Sequence, residues 1–165
     1  MPIKQILVPV DFSDVSMEAL EYAIDLSKGF NADIAAVFVV EPLYYSAPPT
    51  AYGAATQVAM LLDDQRRLGR EQLAKIADKL KKRGVNGRTV LQEGTPYERI
   101  VDTAKRVKAD LIVMATHGRT GLTHLLMGSV TEKVVRMSAC PVLTLHGYKL
   151  KKAGKPKAAK PRKKG

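Results

Sequence analysis

A chain of 165 residues, 45% of them hydrophobic, suits one globular domain, and no apolar run nears the roughly 18 residues a membrane-spanning helix needs. One cysteine, Cys140, excludes a disulfide framework and fits a reducing compartment, so a cytoplasmic protein is expected. The net charge of +11 is local: residues 149–165 hold nine Lys/Arg and no Asp/Glu, leaving 18 basic against 16 acidic residues in a nearly neutral body.

The opening MPIKQILVPVDFSD carries only a short apolar run, interrupted by Pro9 and ended by Asp11. That is a poor signal peptide and a good first strand, expected over residues 3–10. A helix should follow. Val15, Ala19, Tyr22, Ala23 and Leu26 recur at three- and four-residue steps, with Ser13 as N-cap and Gly29 just past the end. ADIAAVFVV, residues 32–40, reads as a second strand. EPLYYSAPPTAYGAAT, residues 41–56, breaks the rhythm with three tyrosines and three prolines, and reads as a lid or contact surface or as a plain connector. From about Gln57 to Arg83, Val58, Leu61, Leu68, Leu73, Ile76 and Leu80 sustain a long helix closed by Gly84.

GRTVLQEG, residues 87–94, is a shorter, more polar strand suited to a sheet edge. Thr95, Pro96 and Glu98 form a capping-box start for a helix whose inner face is Tyr97, Ile100, Val101 and Ala104. ADLIVMA at 109–115 and PVLTLH at 141–146 are the fourth and fifth strands, with a last helix at about Ser129 to Met137 between them. Continuous apolar strands alternating with helices argue for βαβ units and a parallel sheet buried on both faces. The tail KLKKAGKPKAAKPRKKG cannot bury enough apolar surface to offset its ordering entropy, so it is expected to be disordered. It reads as an electrostatic arm for nucleic acid, anionic lipid or polyphosphate, or as a solvated extension, since no aromatic is interleaved to stack on bases.

Motifs of dedicated chemistry are absent. The chain has no G-x-x-x-x-G-K-[ST] loop, no G-x-G-x-x-G after the first strand and no G-x-S-x-G elbow. His117, His124 and His146 have no cysteine or carboxylate cluster to complete a metal site, and Cys140, beside a proline and a strand, reads as a structural thiol.

ATHGRTGLTHLLMGSV, residues 115–130, is the chemically suggestive stretch. A phosphate chain needs backbone N–H groups facing one point, glycines that permit close approach, and preferably a helix N-terminus. Gly118 opens the loop, Gly128, Ser129 and Val130 lie where the last helix begins, Ser129 adds a hydroxyl and Arg119 a neutralising charge. Composition alone leaves an ordinary strand-to-helix turn as the alternative.

With ILVPVDFSD at the start and EKVVRMSACPVL near the end, that stretch makes residues 1–147 resemble the universal stress protein family, specifically its ATP-binding branch, with 148–165 a separate basic tail. The family motif is G-x2-G-x9-G-[ST]; Gly118, residues 119–127 and Gly128-Ser129 match its second half, while Ala115 replaces its first glycine. Alanine there carries a backbone cost only if that residue needs a positive φ, which a strand end does not.

The resemblance implies an open five-stranded parallel sheet of order 3-2-1-4-5 with helices on both faces, the Rossmann-like adenine nucleotide α-hydrolase-like fold. Ligands of such sheets bind where the strand order reverses, between strands one and four. It further implies that Pro9, Val10 and Asp11 line an adenosine pocket, with Asp11 accepting from ribose hydroxyl or adenine, that Val39 packs against adenine with Met114 near it, that Ala115 adds a methyl near the phosphates, and that His117, Gly118, Arg119, Gly128, Ser129, Val130 and Thr131 surround a triphosphate. The residues themselves leave alternatives open: Asp11 as a turn or helix-capping aspartate, Val39 and Met114 as core, His117 as a brace of the turn.

The implied cofactor is ATP, with Mg²⁺ arriving on the triphosphate, and the implied assembly is a homodimer joined through residues 141–146. The expected function is that of a nucleotide-dependent stress-response or regulatory protein with at most slow ATP hydrolysis. The alternative is a non-nucleotide-binding dimer scaffold whose basic tail tethers it to nucleic acid or anionic surfaces.

Overall fold

The computed structural model describes residues 2–42, 52–116 and 128–146, with side chains from residue 57 onward in the second stretch. Among these residues, strands β1 (Gln5–Pro9), β2 (Asp33–Val40), β3 (Gly87–Glu93), β4 (Leu111–Ala115) and β5 (Val142–Leu145) alternate with helices α1 (Asp14–Phe30), α2 (Tyr52–Lys82), α3 (Pro96–Val107) and α4 (Ser129–Met137). Every strand pair is parallel and the order is β3-β2-β1-β4-β5, the Rossmann-like α/β arrangement that the resemblance implied. No described helix is long and apolar enough to cross a membrane.

Strand pleating sorts the apolar runs into two cores. Ile6, Val8 and Val10 of the first strand segment, Ile34 and Ala36 of β2, and Leu111 and Val113 of β4 face Leu20, Ala23 and Ile24 of α1 and Leu73, Ile76 and Leu80 of α2. The intervening Leu7, Ala35, Val37, Ile112 and Met114 face Ile100, Ala104 and Val107 of α3 and Val134 of α4. Burial on both faces is why these strands read as unbroken apolar runs.

Two helix boundaries and one helix cap differ from the sequence expectation. Gly29 lies inside α1, which runs two residues further to a left-handed C-cap at Asn31, φ 52°. Asparagine tolerates that conformation, so glycine is not needed there. Helix α2 begins at Tyr52 rather than near Gln57, taking in the end of the 41–56 connector; residues 43–51 of that connector, and with them the expected lid or contact surface, lie outside the described residues. Thr95 does occupy the N-cap of α3 with Pro96 behind it, but its side chain makes no capping bond, and Glu98 accepts from the Tyr97 hydroxyl at 3.1 Å instead of turning back to the cap.

The inner seam of α2 is also narrower than its leucines suggest. Gly69, Leu73, Ile76 and Leu80 are buried, whereas Leu61 is 51% and Leu68 49% exposed. At 31 residues α2 is about 46 Å long, against about 23 Å for the 7-residue β3 beside it. Arg66 meets Glu93, the last residue of β3, at 2.7 Å, so the turns before Arg66 overhang the carboxyl edge of the sheet.

Charged pairs fasten the layers. Asp110 accepts from the N–H groups of Lys4 and Gln5 at 2.8 and 3.0 Å, which pins the start of β1 and holds the Asp110 carboxyl below its usual range. Glu21 on α1 bonds both Lys79 of α2 and Arg83, the residue just past its end. Burial pushes its carboxyl up, but the two cations outweigh that and leave it below the ordinary 4.5. A depressed carboxyl contributes stability above its unfolded value and loses it as pH falls through the folded one. Glu21→Gln is therefore expected to cost about 1 kcal/mol at neutral pH, a modest figure because water screens the pair. In thermal melts across pH, the gap from the parent should close once acid passes 4.5 and the lowered value. A gap that is constant with pH would contradict this.

Candidate functional site

The strand order reverses between β1 and β4, so the carboxyl ends of these two strands border the crevice in which open α/β sheets bind ligands. On the β1 side, Pro9 and Val10 are buried, and the Val10 N–H donates to the Val37 carbonyl at 2.9 Å. The chain then turns sharply. Phe12 adopts φ 65°, a left-handed conformation that costs a bulky residue about 1 kcal/mol or more.

Two contacts hold that strained residue. One Asp11 carboxylate oxygen accepts from the Ser13 N–H at 3.0 Å and from the Ser13 hydroxyl at 2.6 Å, while the Asp11 N–H donates to the Ser16 hydroxyl at 3.3 Å. The Phe12 ring packs against Phe38 of β2 with centroids 4.6 Å apart. Ser13 also caps α1 by accepting from the Ser16 N–H at 3.3 Å. Asp11 thus is the turn aspartate that its sequence context allowed, placed at the mouth of the crevice.

On the β4 side, Ala115 is a buried strand residue paired in register with Leu145 and lies outside the positive-φ set, so alanine meets no backbone penalty where the family motif has glycine. Thr116 follows, and its carbonyl accepts the Gly128 N–H at 2.7 Å. Thr116 and Gly128, twelve positions apart in the chain, therefore meet at one point. His117, Gly118 and Arg119 belong to the segment 117–127 between them and lie outside the described residues.

Gly128 is the N-cap of α4, and a glycine has no side chain with which to cap the helix. The first helical bond runs from the Glu132 N–H to the Gly128 carbonyl at 2.9 Å, which leaves the N–H groups of Ser129, Val130 and Thr131 without an acceptor inside the helix. Those groups, with the positive end of the helix dipole, form an anion-binding arrangement. The Thr131 hydroxyl is turned the other way, donating to the Ala115 carbonyl at 3.0 Å.

The expected base-side residues come together on the α3/α4 face of the sheet. Met114 is 5% exposed and part of that core, and Val39 and Val130 pack half-buried against it, as does Tyr97, over whose ring the Lys133 ammonium sits at 4.5 Å. Met114 is thus chiefly a core residue, with Val39 and Val130 the accessible apolar pair. No group of three His, Cys, Asp or Glu side chains among the described residues is placed to hold a metal ion.

Two residues of this region were missed in the sequence. Thr116 sits inside the quoted loop stretch, yet nothing in composition separates it from its hydroxylated neighbours. Phe12 carries no signal at all, because its strain depends on Phe38 from the next strand.

Comparison with known proteins agrees with this architecture. The profile of the universal stress protein family matches residues 2–146. A universal stress protein of Methanocaldococcus jannaschii is 41% identical over 142 residues, covering 86% of this chain and 81% of that protein. The structure of universal stress protein UspA from Lactobacillus plantarum superposes with a TM-score of 0.78 at 26% identity, over 88% of this chain and 99% of that one. A universal stress protein family protein from Arabidopsis thaliana with AMP bound shares the fold at a TM-score of 0.57 and 22% identity, over 87% of this chain and 91% of its own. Fold, strand order and profile converge, and the chain belongs to the universal stress protein family.

Proposed function

We propose that this protein binds adenine nucleotide, ATP foremost, between the carboxyl ends of β1 and β4, and acts as a nucleotide-dependent stress-response or regulatory protein with at most slow hydrolysis. The observation that carries this reading is the start of α4. A glycine-capped helix N-terminus, whose first-turn N–H groups have no acceptor inside the helix, is bonded to the end of β4 at the point where the strand order reverses. Val39 and Val130 offer apolar surface for a base, and Asp11 stands at the opposite lip for ribose or adenine. The AMP-bound protein of the same fold makes adenine nucleotides the ligand class to test first. Mg²⁺, where present, would arrive on the triphosphate and be held chiefly by phosphate and water.

A homodimer through residues 141–146 is part of the same proposal, as is a cytoplasmic location. Among the described residues strand β5 is an edge of the sheet and all four of its residues are half-buried, and a sheet edge is suited to pairing with a second copy. The charge concentrated in residues 149–165 favours a second activity, a salt-sensitive tether to nucleic acid or anionic surfaces.

Calorimetry of nucleotide-stripped protein in Mg²⁺ buffer at low and high salt, with and without residues 149–165, separates these readings. The expected result is a Kd on the order of micromolar that survives both salt and deletion of the tail. ATP binding that vanishes with the tail would assign it to nonspecific charge and leave the domain as a scaffold.

A further inference from the structure

Thr116 and Thr131 are polar and buried to 6% and 4% exposure, the first following β4 and the second on the first turn of α4. Thr116 is bonded to described residues in three directions. Its N–H donates to the Leu145 carbonyl at 2.9 Å, its carbonyl accepts from the Gly128 N–H at 2.7 Å, and its hydroxyl shares a hydrogen bond with His146 Nδ1 at 3.1 Å. Thr131 lies on the first turn of α4 and donates its hydroxyl to the Ala115 carbonyl at 3.0 Å. The start of α4 is thus tied to the last residues of β4 at two points, and β4 is tied in turn to the end of β5.

A threonine hydroxyl has one hydrogen. That of Thr131 points into the sheet, so it has none to offer a phosphate oxygen, which can only accept. We infer that the hydroxyls of Thr116 and Thr131 position the anion site, fixing the α4 N-terminus against the sheet without themselves bonding the ligand. The inference rests on the nucleotide reading above and deepens it, giving the Thr131 side chain a different task from the triphosphate contact that the family resemblance implied and leaving that contact to its backbone N–H. Its physical content is preorganisation: N–H donors already held in place do not have to be ordered when the anion binds. The contact with His146 adds a consequence, because whatever pairs with the β5 edge lies one hydrogen bond from Thr116.

The test uses the full chain and two readouts. The first is amide hydrogen exchange at Gly128 and Glu132 without nucleotide; the second is ATP affinity by calorimetry. Thr131→Val keeps the shape and removes the hydroxyl, and Thr131→Ser keeps the hydroxyl. Thr131→Val is expected to speed exchange at both amides about tenfold and weaken ATP about tenfold, with Thr131→Ser close to the parent in both. Thr116→Val and Thr116→Ser should repeat the pattern, and they carry the test if Thr131→Val does not fold. Unchanged exchange with lost affinity would mean that the Thr131 hydroxyl itself bonds phosphate, and would overturn the inference. So would unchanged values in both readouts, or a serine variant as impaired as the valine. A parent chain that binds no ATP would sink the nucleotide reading alone, since the exchange arm still decides whether these hydroxyls hold α4.

Discussion

Replacing Gly128 by aspartate is expected to leave the fold as stable as the parent and to weaken ATP binding at least about a hundredfold. The backbone permits it: Gly128 has φ −70° and ψ 152°, extended values that any residue adopts. Aspartate is among the preferred N-cap residues because its carboxylate reaches the N–H groups two and three positions on, and it also complements the helix dipole. Those are the groups a phosphate would use, on Val130 and Thr131. The capping oxygen would occupy the ligand's place and add like charge.

The two readings of Gly128 therefore part company. If it is only an indifferent N-cap, aspartate should raise the melting temperature slightly and change nothing else. If it is kept bare for an anion, stability and binding should move in opposite directions. Gly128→Val gives a second arm, with methyl groups in place of the carboxylate and about 1 kcal/mol of lost capping. Thermal melts and ATP calorimetry on the same preparations decide it, and an aspartate variant that binds ATP like the parent would remove the basis for the site.

What the sequence discloses and what it hides divide along physical lines. Strands buried on both faces leave unbroken apolar runs, which makes β1, β2 and β4 legible, while the shorter or more polar runs of β5 and of GRTVLQEG fit their places at the two sheet edges. Helix starts were legible where one residue decides them, as at Ser13 and at Gly128-Ser129. Boundaries that depend on competition were not. Asn31 takes the left-handed cap that Gly29 seemed made for, and Thr95 holds its position without its capping bond. Leu61 and Leu68 extend the helical pattern of α2, but a helix twice the length of its neighbouring strand has no sheet to cover at one end.

The site shows the same division. Asp11 and Ala115 could be located because one follows a recognisable strand and the other ends one, and the parallel order then brings those ends together. The strain at Phe12 and the knot at Thr116 depend on partners 26 to 30 positions away, Phe38 and His146, which no local pattern announces. His117, Gly118 and Arg119 rest on the family motif, since they fall outside the described residues.

That strain leads to the second large effect, at a residue that carries no chemistry. Gly69→Ala is expected to destabilise the protein by about 1–3 kcal/mol, although at an open helical position the same change gains up to about 1 kcal/mol. A Cβ on Gly69 would lie 2.7 and 2.8 Å from two atoms of the Phe38 ring and 3.1 Å from Leu91 Cδ1. The ring has little room to retreat, because Phe12 lies against it with centroids 4.6 Å apart and is itself held at φ 65°. Displacement should pass from α2 through Phe38 and Phe12 to the turn that carries Asp11. Gly69→Ala should therefore lower both the melting temperature, by about 2–4 °C per kcal/mol, and the affinity for ATP. Gly29→Ala is the internal control, since a Cβ there meets nothing within 4 Å. A similar gain in stability at both glycines would show that Phe38 yields freely and that α2 has no packing link to the site. Recovery of stability in the Gly69→Ala, Phe38→Leu double variant would identify the ring as the obstacle, because shortening that side chain opens the space the new methyl needs.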